Sequence, residues 1–226
     1  MSADPTAALD PAGREALGKV LELLAAERAS VSSVVDRRAW KVHVADSLTG
    51  LEVEDLRAAL RIADVGAGAG FPGLALAVAL PGAQVDLVES VGRKCDFMTR
   101  AIEAAEIPNA TVLNIRSEDL ATTGSRDSYD VVTARAVGRL STLAELASPL
   151  LKPNGVLIGW KGKRDEDEES QLERAAESLA MTPDQVLDVG DRAGSQHRHL
   201  HVIRKTADTP ADLPRRPGIA KKRPKG

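Results

Sequence analysis

From Arg61 to Gly73 the chain reads R-I-A-D-V-G-A-G-A-G-F-P-G, and no other stretch restricts the possible folds as strongly. Arg61 to Val65 has the length and character of a short buried strand. Gly66, Gly68 and Gly70 then permit backbone angles that a Cβ forbids. Pro72 suits a first helical turn, where its missing N–H costs nothing, and the apolar run to Leu80 supplies the helix. A strand that enters a helix through a tight glycine turn opens a βαβ unit.

The alternation continues. Strands are expected at 85–89, 111–115, 129–134 and 155–160, with helices at 93–106 and 140–151. The charged run Lys163 to Glu169 opens another helix through Leu179, its acids near the positive end of the helix dipole. Two last strands, 186–189 and 200–204, are too close for a crossover helix and should pair antiparallel. Upstream, apolar residues at helical spacing (Leu17, Val20, Leu21, Leu24) predict a helix from Pro11 to Glu27. Further helices are predicted at 38–51 and 53–60. The sum is an α/β chain with a seven-stranded, mostly parallel sheet, an antiparallel last strand and helices on both faces. Its expected organisation is an N-terminal helical extension (1–58), a Rossmann-like domain (59–206) and a basic C-terminal tail (207–226).

Composition removes several classes. Aromatic residues make up 2% of the chain, which argues against stacking a row of bases on exposed rings. No run reaches the roughly 18–20 apolar residues of a membrane span, and Met1 to Asp10 lack a secretory leader pattern. Cys95 is the lone cysteine, so a reducing, cytoplasmic setting is expected. The net charge of −3 is unevenly spread. Six basic residues and no acid fall between Leu213 and Gly226, leaving −9 on the rest. Such a tail reads either as a segment that follows a phosphate backbone or as a solvated terminus.

The glycine turn carries the chemistry. Gly68, Gly70 and Gly73 satisfy G-x-G-x-x-G, the dinucleotide pattern, so a NAD-dependent oxidoreductase is one reading. Acids after all three first strands favour S-adenosylmethionine instead. Asp64 lies two residues before Gly66, at the place of an acid that positions the methionine moiety. Glu89 ends the second strand and suits the ribose hydroxyls. Arg116-Ser117-Glu118-Asp119 follows the third, where adenine would lie. The glycines bring the backbone close to the ligand and present N–H groups beside a helix N-terminus. After the fourth strand stands Thr133-Ala134-Arg135-Ala136, without the Asn/Asp-Pro-Pro-aromatic motif of exocyclic amine methylation. A cysteine nucleophile for a pyrimidine carbon is missing there too. Cys95 reads as a small buried thiol. Guanine N7, with an in-plane lone pair and no proton to lose, needs no base. Ribose hydroxyls and small molecules stay open as acceptors.

A resemblance narrows this. Asp64 to Gly73 resembles the D-V-G-T-G-x-G-x-P-G of the small-subunit (16S) ribosomal RNA N7-guanosine methyltransferases, the glucose-inhibited division protein B family. His43-Val44-Ala45-Asp46-Ser47 resembles its H-x-x-D-S. Similar matches fall at Glu89-Ser90, Arg93-Lys94, Phe97, Ala134-Arg135-Ala136, Lys161-Gly162, Arg198-His199 and Pro214 to Ile219. Ala67 replaces the usual Thr, and Ala220 stands where Pro is common. The resemblance spans about residues 30–224 and implies a class I methyltransferase fold acting on 16S rRNA or the small ribosomal subunit. It places cofactor contacts on Gly66, Phe71, Ser117, Glu118 and Arg135, beside Asp64, Gly68 and Glu89. Arg135 would hold the methionine carboxylate or an RNA phosphate, and Lys161 is a second candidate for substrate positioning. Arg215, Arg216, Lys221, Lys222 and Arg223 would contact RNA, so removing residues 213–226 is expected to weaken RNA binding and spare the cofactor. His197, His199 and His201 share one strand face at a spacing known from metal sites, but no carboxylate or Cys partner suggests itself and no metal is expected.

Overall fold

A computed structural model describes residues 4–27, 31–190 and 197–226. Helix α1 (Pro11–Ala26) starts at Asp10, whose carboxylate accepts the Gly13 N–H, the usual way of satisfying a free amide at a helix start. A continuous but irregular helical run follows: a wide π-helical turn at Trp40–Ala45, α2 (Asp46–Leu48) and a tight turn at Thr49–Glu52. After α3 (Glu54–Ala58) the alternation begins: β1 (Arg61–Val65), α4 (Gly73–Ala79), β2 (Gln84–Glu89), α5 (Gly92–Ala105), β3 (Ala110–Asn114), α6 (Ser117–Leu120), β4 (Tyr129–Arg135), α7 (Leu140–Ala147), β5 (Leu151–Lys161), α8 (Glu166–Leu179), β6 (Met181–Asp188), β7 (His199–Lys205) and α9 (Ile219–Lys222).

The strands form one sheet in the order β3-β2-β1-β4-β5-β7-β6. Strands β1 to β5 are parallel, and β7 runs antiparallel to both β5 and β6. The period-two alternation of strand side chains divides the core. Ile62, Leu87, Val131 and Ile158 pack with α1, α4, α5 and the irregular helical run. Ala63, Val88, Val132 and Leu157 pack with α7 and α8. The N-terminal helices therefore share one core with the sheet, through Leu17, Val20, Leu24 and Leu56. No helix among the described residues is long and apolar enough to cross a membrane.

Several boundaries differ from the sequence expectation. Helix α7 stops at Ala147, not Leu151, because Leu151 already pairs with Tyr129 at the start of β5. Lys152, Pro153 and Asn154 lie in a register irregularity of that strand, with Asn154 at φ +66°. Strand β6 begins at Met181, five residues before the expected Val186. Pro183 hid it, and a proline is tolerated there because β6 is the sheet edge.

Between β1 and β4 the strand order reverses, and in open α/β sheets ligands bind beyond the strand carboxyl ends at that point. Gly73 allows α4 to close onto the sheet there: a Cβ would lie 2.2 Å from Leu87 Cδ2 and 2.9 Å from Asp64 Oδ2. Gly73→Ala is expected to lower the unfolding free energy by about 1–3 kcal/mol, the usual cost of an overpacked core. Urea titration should show a lower midpoint with an unchanged slope.

Candidate functional site

A crevice of about 330 Å³ opens at the switch point, within the roughly 300–1,000 Å³ span of small-molecule sites. The ends of β1 (Val65, Gly66) and β2 (Val88, Glu89), the segment Ile115 to Glu118 and the residues just after β4 line it. Its base is fixed from below by Asp64, whose carboxyl is buried. Oδ1 accepts the Thr133 hydroxyl at 2.8 Å and Oδ2 the Gly73 N–H at 2.9 Å. This one side chain ties β1 to β4 and to the start of α4. Burial pushes its pKa up to about 6, against the lowering effect of those two hydrogen bonds.

Gly66 and Gly68 have φ of +71° and +62°. A Cβ on Gly66 would stand 2.6 Å from Val137 Cγ2, so a side chain there collides with the loop after β4 as well as narrowing the crevice. The amides of this turn differ from the sequence expectation of free donors. Gly66 and Ala67 donate to Val88 O, Gly70 to Ala67 O, Gly68 to Glu89 Oε2 and Gly73 to Asp64. A turn with most of its amides so engaged is poorly equipped to cradle a pyrophosphate, which needs them. It suits a ligand that wants close backbone approach without anion recognition.

Glu89 accepts from Gly68 and Val91 and lies 3.6 Å from Lys94 Nζ. Each carboxylate oxygen has a further lone pair for ribose hydroxyls. Ser117 is buried, and its hydroxyl donates to Glu118 Oε2. Glu118 Oε1 accepts the Gly218 N–H at 2.7 Å. Phe71 is placed apart from these groups: it is buried and stacks on the His43 ring at 5.0 Å. Cys95 is buried, with its thiol donating to Glu89 O. Burial and the Glu89 charge push its pKa up, away from nucleophilic use.

At the carboxyl end of β4, Arg135 donates to Val42 O at 3.0 Å and to Asp46 Oδ2 at 2.8 Å. Its other terminal nitrogen lies 3.3 Å from His43 Nδ1. His43 Nε2 lies 2.8 Å from Val34 O, so the ring serves as donor there and acceptor toward Arg135. Burial lowers its pKa. The other Asp46 oxygen accepts Arg198 Nε at 2.7 Å, and the Asp46 backbone carbonyl accepts Trp160 Nε1. One wholly buried carboxylate thus holds two guanidiniums at the rim. Sequence reading named Arg135 but missed this pairing with Arg198, whose 152-residue separation from Asp46 left no local signal. Ala136, next along, has φ +59°, a left-handed conformation costing on the order of 1 kcal/mol for a residue with a Cβ.

Lys161 does not reach the crevice. Its ammonium donates to Gly138 O and Glu168 Oε1, and the same oxygen accepts the Leu140 N–H. It anchors the loop after β4. His199 and His201 lie on β7, but His199 Nδ1 donates to Gly162 O, while His201 is buried and 3.9 Å from Glu169. His197 precedes the strand and is exposed. No metal-holding group of three or more His, Cys, Asp or Glu occurs among the described residues.

The basic tail departs most from expectation. It folds back over the crevice, where Gly218, Ala220 and Lys221 form part of the wall. Arg215 makes a two-pronged pair with Glu145, a buried acid of α7, at 2.5 Å for each contact. Its guanidinium is committed to the fold. Arg216, Lys221, Lys222 and Arg223 remain exposed. Glu145, a lone acid inside the apolar helix L-S-T-L-A-E-L-A, was the one sequence signal that something cationic must cover it.

The profile of the family described as rRNA small subunit methyltransferase G matches residues 19–200. The chain belongs to this family. A ribosomal RNA small subunit methyltransferase G of Rubrobacter xylanophilus is 41% identical over 186 residues, covering 80% of this chain and 71% of that protein. The protein of the same name from Bacillus subtilis is 34% identical, with 88% and 84% covered. Among solved structures, an O-methyltransferase from Bacillus cereus in complex with SAH superposes with a TM-score of 0.59 at 18% identity, covering 85% of this chain and 91% of that one. A SAM-dependent methyltransferase from Aquifex aeolicus gives 0.56 at 16%, covering 80% and 99%. The fold is that of class I methyltransferases.

Asp64 yields a pH signature. With a folded pKa near 6 and an unfolded one near 3.9, the folded state holds more protons between those values. Its contribution is therefore present below about pH 4 and lost as pH rises through 6, by about 3 kcal/mol. Asp64→Asn removes the titration while its amide oxygen still accepts the Gly73 N–H and its amide NH2 donates to the Thr133 hydroxyl, that one bond reversed in direction. Denaturant unfolding at pH 4 and pH 7 should show the wild type losing about 2–3 kcal/mol relative to the variant on going up in pH. A constant difference between the two proteins would contradict the assignment.

Proposed function

We propose that this chain transfers a methyl group from S-adenosylmethionine to N7 of a guanosine in 16S rRNA, acting in the cytoplasm on that RNA or on the small subunit that contains it. The observation that carries the reading is the crevice itself: glycines with left-handed backbone beside two carboxylates, in a chain whose relatives are named for ribosomal RNA methylation. The residues present fit the cofactor. Gly66 and Gly68 give close backbone approach, Glu89 accepts the ribose hydroxyls, and Ser117 with Glu118 receives the adenine edge. Asp64 acts from behind by fixing the turn, and Phe71 by seating His43. When bound, S-adenosylmethionine supplies an electrophilic methyl group on a sulfonium.

Guanine N7 carries no proton, so the protein's task is alignment. The rim after β4 matches that limited demand. Arg135, Ala136, Val137, Gly138 and Arg139 include no base, and both oxygens of Asp46 are engaged by guanidiniums. Methyl transfer moves positive charge onto the guanine, which a bare cation nearby would oppose. Asp46 partly neutralises Arg135 and Arg198, leaving one net positive charge to hold a flanking phosphate. Lys161 contributes indirectly, by anchoring the loop. Arg216, Lys221, Lys222 and Arg223 are the tail residues available to RNA phosphates, whereas Arg215 is reassigned to the fold.

The test is transfer of labelled methyl to small-subunit RNA from a strain lacking this protein, followed by chemical cleavage at N7-methylguanosine. A single labelled guanosine cleaved at its position is expected. Label on a ribose oxygen, on an exocyclic amine or only on small molecules would contradict the reading.

A further inference from the structure

We propose that residues 213–223 are a strap that completes the donor pocket, so that the segment read from sequence as an RNA-binding tail is also a wall of the cofactor site. The inference rests on the reading of the crevice as an S-adenosylmethionine site. It concerns residues outside the glycine turn and the two strand-end acids.

Four contacts hold the strap down. Leu213 is buried in the α7–α8 side of the core, and its carbonyl accepts Arg126 Nη1. Arg215 closes its two-pronged pair on Glu145, and a second hydrogen bond runs from Arg215 Nη2 to Arg223 O. That bond joins the start of the strap to its end. Ala220 is buried, and its carbonyl accepts the Thr142 hydroxyl. Gly218, at φ +81°, turns its N–H onto Glu118 Oε1. Removing the strap would leave the buried Glu145 carboxylate without its cation, so these contacts are not incidental to the fold.

The consequence follows from where the contacts lead. Glu118 is shared: one of its oxygens fastens the strap, and the same carboxylate faces the crevice. Gly218, Ala220 and Lys221 border the same space as Glu89 and Ser117. A ligand seated there touches the strap on one side and the strand ends on the other. Closing the strap and binding the ligand must then favour each other, with one coupling free energy read from either end. The outer side of the strap carries Lys222 and Arg223, both exposed, which puts phosphate recognition on the back of the cofactor's wall.

The experiment measures S-adenosylhomocysteine binding by calorimetry for the full chain, a chain ending at Asp212, and full-length Gly218→Ala. Circular dichroism and thermal melting check the fold. An added Cβ at Gly218 meets nothing within 4 Å, so that variant disturbs only the left-handed turn and the amide on Glu118. It decides the matter if the shortened chain does not fold. We expect affinity to fall at least tenfold on truncation and at least threefold in Gly218→Ala. Trypsin cleavage after Lys221 or Lys222 in the full chain should slow severalfold when S-adenosylhomocysteine is added. Affinity within twofold of the full chain in a folded variant, with tail cleavage indifferent to ligand, would overturn the strap. Failure of the full chain itself to bind would instead remove the cofactor reading on which the strap rests.

Discussion

A carboxylate shut away from water, that of Asp64, sits where β1 gives way to the glycine turn, and its two oxygens are divided between the Thr133 hydroxyl and the Gly73 amide. Placing an acid there is costly unless its hydrogen bonds are made, and the elevated pKa records that cost. What the fold obtains is a fixed relation between β1, β4 and α4 at the point where the strand order reverses. The glycine turn rides on that junction. The Gly66, Ala67, Gly68 and Gly70 amides are satisfied internally, so the shape of the turn does not depend on a ligand to complete it. Pre-organisation of this kind lowers the ordering cost of binding.

A second buried acid organises the other half of the site. Asp46, on the irregular helical run, pairs with Arg135 at the end of β4 and Arg198 just before β7. Elements 89 and 152 residues apart in sequence meet on one side chain. Asp64 shapes the donor side and Asp46 holds the cations of the acceptor side, each fixed by contacts that leave little freedom. Lys161 and Glu168 do the same for the loop between them. The tail closes the remaining side through Glu145 and Glu118. Five acids with buried or shared carboxylates thus set the outline of the crevice.

Much of this architecture was legible in the sequence. The strand–glycine–helix opening, the alternation after it and the closing hairpin follow from local rules of period, turn chemistry and loop length. They placed β1, β2 and β4 within a residue or two. Glu89 and Glu118 were legible because their distance from a strand end is a local property. Where the sequence failed, a long-range contact decided. Strand β5 began early because Leu151 pairs with Tyr129 across a register irregularity, and β6 ran through a proline because it lies at an edge. The pairing of Asp46 with Arg198 and the return of the tail onto α7 are tertiary contacts without a periodic signature. Glu145 alone hinted at the latter.

The central claim is that the crevice at the β1–β4 reversal receives an adenosyl sulfonium donor between Glu89 and the Ser117–Glu118 turn. A crystal structure of the full chain grown with S-adenosylhomocysteine tests it most directly. The account predicts the ribose hydroxyls on the Glu89 carboxylate, the adenine beside Ser117 and Glu118 under the Gly218–Lys221 segment, and the sulfur facing the rim where Arg135 stands. Ligand density elsewhere on the molecule, or a crevice that stays empty at saturating ligand, would contradict it.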